Sequence, residues 1–113
     1  MPHRDARLRI SDILDSIRKI QTYVQDLDFD NFAKNPILVD SVLLNFIVIG
    51  EAASHIPEEL KDAHLEIPWQ DMIGMRNVVA HTYFRLDLKI VWRTIHNNFD
   101  RIVPLLEELI RIV

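Results

Sequence analysis

From Arg7 to Leu27 the apolar residues Ile10, Ile13, Leu14, Ile17, Ile20, Val24 and Leu27 recur at steps of three and four. That spacing lines them along one face and predicts an amphipathic helix over 7–27. Asp28 to Asn35 breaks the pattern and reads as a connection. Asn35-Pro36 then offers an N-cap side chain followed by a proline at the first helical position, where its missing N–H removes no bond, so a second helix is predicted from Pro36 to about Ser54. Its centre, Val42 to Ile49, is β-branched enough to pass for a buried strand. The run continues into Glu51-Ala52-Ala53 without a turn signal, so length decides for a helix, apolar nearly all round and buried among others.

Pro57-Glu58-Glu59 has the acidic first turn of a short helix ending near His64. Ile67-Pro68-Trp69 starts another, to about Ala80, with Trp69, Met72, Ile73, Met75 and Val79 as its apolar positions. Asp87 can cap a last long helix whose stripe runs through Leu88, Val91, Trp92, Ile95, Phe99, Ile102, Val103, Leu106 and Leu109, with Pro104 expected to bend it locally. Four main helices and one additional short helix with short connections predict an all-α fold, an antiparallel four-helix bundle forming a single domain over 1–113.

Composition supports this. Two Gly and five Pro leave few positions for the tight turns of sandwiches and barrels. The absence of Cys excludes a disulfide scaffold, a thiolate zinc site and a cysteine nucleophile. Met1 to Ile10 lacks the apolar stretch of a secretory signal and Val42 to Ile49 is too short to span a bilayer, so a cytoplasmic protein without membrane contact is expected. A net charge of −4 argues against broad duplex binding, and any nucleic-acid contact must be local.

Candidate chemistry concentrates in Arg76-Asn77-Val78-Val79-Ala80-His81-Thr82-Tyr83, at a helix end. On a regular helix Arg76 and His81 stand about 140° apart, so they converge only if the chain turns near His81 or a second subunit contributes. The step from His81 to Tyr83 suits a nonhelical segment projecting both side chains into one cleft. Imidazole exchanges protons near neutral pH, and a guanidinium fork holds phosphate oxygens as charge builds, which together suit metal-free RNA cleavage through the ribose 2′-hydroxyl. The spacing alone favours a structural arrangement in which Arg76 pairs with Glu51, His81 caps the helix end and Tyr83 packs at an edge.

The segment resembles the Arg-x4-His-x-Tyr signature of HepT-like toxins, a branch of the HEPN superfamily of small helical ribonucleases. Ile49-Gly50-Glu51-Ala52, Ile67-Pro68-Trp69 before Gly74-Met75-Arg76-Asn77, and Val91-Trp92 extend the resemblance over nearly the whole chain. The resemblance implies a HEPN-like helical homodimer with a composite RNA-cleaving cleft and catalytic roles for Arg76 and His81, with Asn77 at the polar position after the arginine. It also implies a type VII toxin–antitoxin pairing with a minimal nucleotidyltransferase, of the MntA kind, that uses ATP to adenylylate the motif tyrosine, here Tyr83.

Glu51, a carboxylate in an apolar helix, needs a partner; a tie to Arg76 is the preferred role, with acid–base work the alternative. His3, His55, His64, His81 and His96 have no HxH or HxxxH spacing, so no metal is expected. No glycine-rich phosphate loop is present, which leaves ATP to the partner and no cofactor for this chain. Arg85, Lys89 and Arg93 could extend a phosphate strip or form a solvated face. Trp69 and Trp92 read as core or interface residues. A metal-free endoribonuclease toxin is thus the leading function; the alternative is a noncatalytic helical module that docks a nucleotidyltransferase. A purely structural dimer leaves the motif cluster without a purpose.

Overall fold

A computed structural model describes residues 4–113; His3 lies outside them. The elements are α1 (Arg4–Val24), α2 (Phe29–Ala33), α3 (Pro36–Ser54), α4 (Glu58–Ala63), α5 (Trp69–Thr82), a 3₁₀ turn (Tyr83–Arg85) and α6 (Leu88–Ile112). The all-α expectation holds, with no strand among the described residues.

The anticipated break at 28–35 instead contains α2. Asp28 accepts a bond from the Asn31 amide at 2.9 Å, and Phe32 is fully buried with its ring centroid 5.2 Å from that of Trp92. Five residues are too few to display a periodicity, so two short α-helices accompany the four long ones where one was expected. Helix α1 starts and stops three residues early, and Asp26 just beyond it turns the chain at φ 63°. Aspartate tolerates this left-handed conformation better than most side chains.

Asn35 caps α3 by accepting from the Leu38 amide at 3.1 Å. Val42, Leu43, Phe46, Ile49, Ala52 and Ala53 are buried, each large side chain contributing about 1.5–3 kcal/mol by leaving water. The helix is not apolar and buried all round: Ile37, Leu44 and Val48 form an exposed stripe. Over its 19 residues α3 is long and apolar enough to cross a membrane, unlike its 42–49 centre alone, but half of it is covered by the rest of the fold, as in a core helix.

Helix α3 packs on α1 and α5, and α1 packs on α6. Arg7 reaches the Val113 carbonyl at 3.0 Å and Arg18 reaches Glu107 at 3.0 Å, so α1 and α6 run antiparallel. Tyr83 bonds to Asp40 and Arg76 to Glu51, which makes α3 and the α5 segment antiparallel as well. Helix α6 continues through Pro104, with Ile102 and Leu106 still buried. Gly50 sits at a close approach of α3 and α5: a β-carbon there would lie 2.2 Å from Arg76 Cβ and 2.8 Å from the Met72 carbonyl oxygen.

Candidate active site

That close approach seats Arg76 against the last turns of α3. Its Nη1 donates to Glu51 Oε2 at 2.8 Å and to Ser54 Oγ at 3.4 Å. On the other edge Nε and Nη2 both donate to Asn77 Oδ1, at 3.2 and 3.1 Å. The guanidinium is thus oriented along both sides, and its side chain is 24% exposed while that of Glu51 is 54% exposed. An ion pair this open to solvent stabilises the fold by at most about 1 kcal/mol, so its main physical effect is orientation.

A second group joins from α3. Ser54 Oγ donates to the Glu51 carbonyl at 2.7 Å and lies 3.1 Å from His55 Nδ1. That same Nδ1 is 3.1 Å from the Glu51 carbonyl oxygen and 3.8 Å from Glu51 Oε1. Ser54 and His55 carry no motif or metal spacing that marks them in the sequence. The i,i+4 step from Glu51 to His55 was the available signal.

His81 stands apart from this network. Of the two routes by which Arg76 and His81 could converge, a turn at His81 is not taken: α5 continues through Thr82, whose hydroxyl donates to the Val78 carbonyl at 2.6 Å. His81 is exposed in the last helical turn, about 140° around the axis from Arg76. No bond joins the two within the described residues of one chain.

Tyr83 opens the 3₁₀ turn, and its hydroxyl donates to Asp40 on α3. This hydrogen bond, with loss of solvent and the carboxylate charge adding to it, holds the phenol above its ordinary 10.0. The ring also meets Phe84 edge-on, centroids 5.1 Å apart, and Phe84 itself is 96% exposed. Asp40 carries no local sequence signal, since its partner lies 43 positions away. Tyr83 and His81 therefore do not share a cleft within the chain in the way the two-residue step suggested.

Arg85, Lys89 and Arg93 are exposed and without an ion pair among the described residues. Trp69 is core, and Trp92 packs with Phe29, Phe32 and His96. No group of three or more His, Asp or Glu side chains among the described residues could hold a metal ion. Surface grooves between α1 and α6 and beside α4 contain neither Arg76 nor His81.

Two Methanocaldococcus jannaschii proteins, each named a "putative RNase", are similar to this chain. One is 33% identical over 115 residues, spanning 96% of this chain and 99% of the relative; the other is 31% identical over 111 residues, spanning 98% and 92%. A Thermococcus cleftensis protein named "probable ribonuclease HepT" is 30% identical over 100 residues, covering 88% of this chain and 91% of its own. No solved structure matches the chain. The family described as "Ribonuclease HepT-like" matches residues 13–110, a stretch that holds every group of the Arg76 network as well as His81, Tyr83 and Asp40. By that match and these relatives, the chain belongs to the HepT-like ribonuclease family.

Proposed function

We propose that this protein is the toxin of a type VII toxin–antitoxin pair, a cytoplasmic endoribonuclease that cleaves RNA without a metal ion through the ribose 2′-hydroxyl. The observation that carries the reading is the guanidinium of Arg76, fixed by Glu51 and Asn77 at the motif position where a phosphate must be held. Arg76 stabilises the charge that builds on the phosphorane, and His81 exchanges a proton with the reacting oxygen. Because one helix carries these two groups about 140° apart, the cleft is composite, with a second copy supplying the missing partner group. The exposed apolar stripe of Ile37, Leu44 and Val48 on α3, with Val78 on α5, offers a face for that copy.

Control follows from Tyr83. A minimal nucleotidyltransferase transfers adenylate from ATP to its hydroxyl, placing a bulky anion beside the phosphate-binding surface and repelling RNA by like charge. The test is cleavage of RNA by purified protein in EDTA, with mass spectrometry of the fragments. The expected products carry 2′,3′-cyclic phosphate ends and vanish in Arg76→Ala and His81→Ala. Metal-dependent cleavage with 5′-phosphate products overturns the mechanism. No cleavage by unmodified protein favours the noncatalytic docking module.

A further inference from the structure

Transfer of adenylate from ATP to a tyrosine leaves one proton to be placed. The phenol oxygen bonds to the α-phosphorus while pyrophosphate departs, and pyrophosphate leaves as an anion that takes no proton with it. Tyr83 keeps its hydroxyl hydrogen near neutral pH, since the bond to Asp40 holds the phenol above its ordinary 10.0. The proton must therefore come off as the new bond forms, onto a group within hydrogen-bond reach of the hydroxyl.

Among the described residues the hydroxyl has one hydrogen-bond partner, Asp40 Oδ1, to which it donates. The two meet because α3 and the α5 segment run antiparallel, which brings the start of α3 beside the 3₁₀ turn. Asp40 is exposed and forms no ion pair among the described residues, so no cation occupies the carboxylate that faces the phenol. Tyr83 is itself 38% exposed, and Phe84 lies edge-on against its ring. The pair is thus held together and reachable from solvent.

We propose that Asp40 is the general base for adenylylation of Tyr83, so that the chain being modified supplies a catalytic group for its own modification. The inference rests on Tyr83 being the adenylylated residue. As the phenol oxygen bonds to the α-phosphorus of ATP and the bond from that phosphorus to the bridging oxygen of pyrophosphate breaks, the phenol proton passes to Asp40 Oδ1. The carboxylic acid then returns the proton to water. Protein kinases use an aspartate in this way on a substrate hydroxyl. A bond that merely pins the ring makes the opposite demand on rate. Its removal would free the hydroxyl, let the phenol become more acidic and take a negative charge away from the approaching triphosphate, all of which favour transfer.

The experiment incubates the full chain with a minimal nucleotidyltransferase in excess and ATP labelled at the α-phosphate, and follows label on the Tyr83 peptide in a single turnover. Asp40→Asn keeps an oxygen that accepts the hydroxyl hydrogen bond but cannot take the proton, and Asp40→Ala removes the contact. Both are expected to lower the limiting rate by about 100-fold or more. The carboxylate is exposed, so both variants should fold, which circular dichroism and thermal unfolding check. A wild-type or faster rate in either variant reduces Asp40 to orienting the ring and overturns the proposal. So does a loss confined to the half-saturating concentration, which makes Asp40 a docking residue. Label on wild-type Tyr83 with undiminished rates in the variants removes the proposal alone, whereas no label on wild-type Tyr83 removes the underlying view of control together with it.

Discussion

Gly50 and Arg76 touch backbone to stem: a β-carbon at 50 would overlap that of Arg76 at 2.2 Å. The missing side chain lets α5 lie close enough to α3 for Arg76 to reach Glu51, the residue next to the glycine. Gly50→Ala is therefore expected to destabilise the fold. Overpacking costs about 1–3 kcal/mol, against about 1 kcal/mol gained in helix propensity. Thermal unfolding should show a lower Tm, and RNA cleavage should fall further than stability does, because the guanidinium moves with its helix.

Gly74 provides the contrast. Nothing lies within 4 Å of a β-carbon built there. Gly74→Ala should gain up to about 1 kcal/mol from helix propensity. A rise in Tm of about 4 °C per kcal/mol is expected for a domain of this size. A fall in Tm would mean that this face of α5 is covered in solution.

Glu51→Ala separates orientation from stability. The carboxylate is half exposed, so urea denaturation should show a loss of at most about 1 kcal/mol. Cleavage should drop by a much larger factor as Arg76 loses the partner on its Nη1 edge. A loss of several kcal/mol with proportionate activity would assign Glu51 to the fold alone.

The bond from Tyr83 to Asp40 predicts a pH signature. The phenol sits above 10.0 in the folded protein, so the stability it contributes is fully present below pH 10.0 and is lost as pH rises through the raised value. Ultraviolet titration of Asp40→Ala at 295 nm should show this phenol moving down toward 10.0. Unfolding measured above pH 10 should lose part of its pH dependence. An unchanged titration would mean that the hydroxyl does not rest on Asp40 in solution.

The long helices were legible because twenty or so residues give a stripe several turns to repeat itself, and Asn35 and Asp87 mark starts by their side-chain chemistry. Helix α2 was not legible, since what holds it is Phe32 against Trp92, a contact between segments sixty positions apart. At the site, Arg76 and Glu51 could be matched as a charge and an otherwise unpartnered carboxylate in apolar surroundings. Asp40 could not, because an exposed aspartate on a helix has no reason of its own to point at Tyr83. The end of α5 is legible to within two residues, since the expected end near Ala80 falls at Thr82, where the backbone leaves helical geometry at φ −124° and ψ 23° before the 3₁₀ turn of Tyr83–Arg85.

The uninterrupted helix between Arg76 and His81 also bears on dosage. If each working cleft takes one group from either of two chains, the quantity that matters in a cell is the pair. Below the dissociation constant the number of pairs rises with the square of the copy number, so halving the supply cuts output about fourfold. Such an enzyme is nearly silent as a trace product and turns on steeply with accumulation. Its specific activity should fall on dilution, a loss that a covalently joined tandem of two chains would abolish.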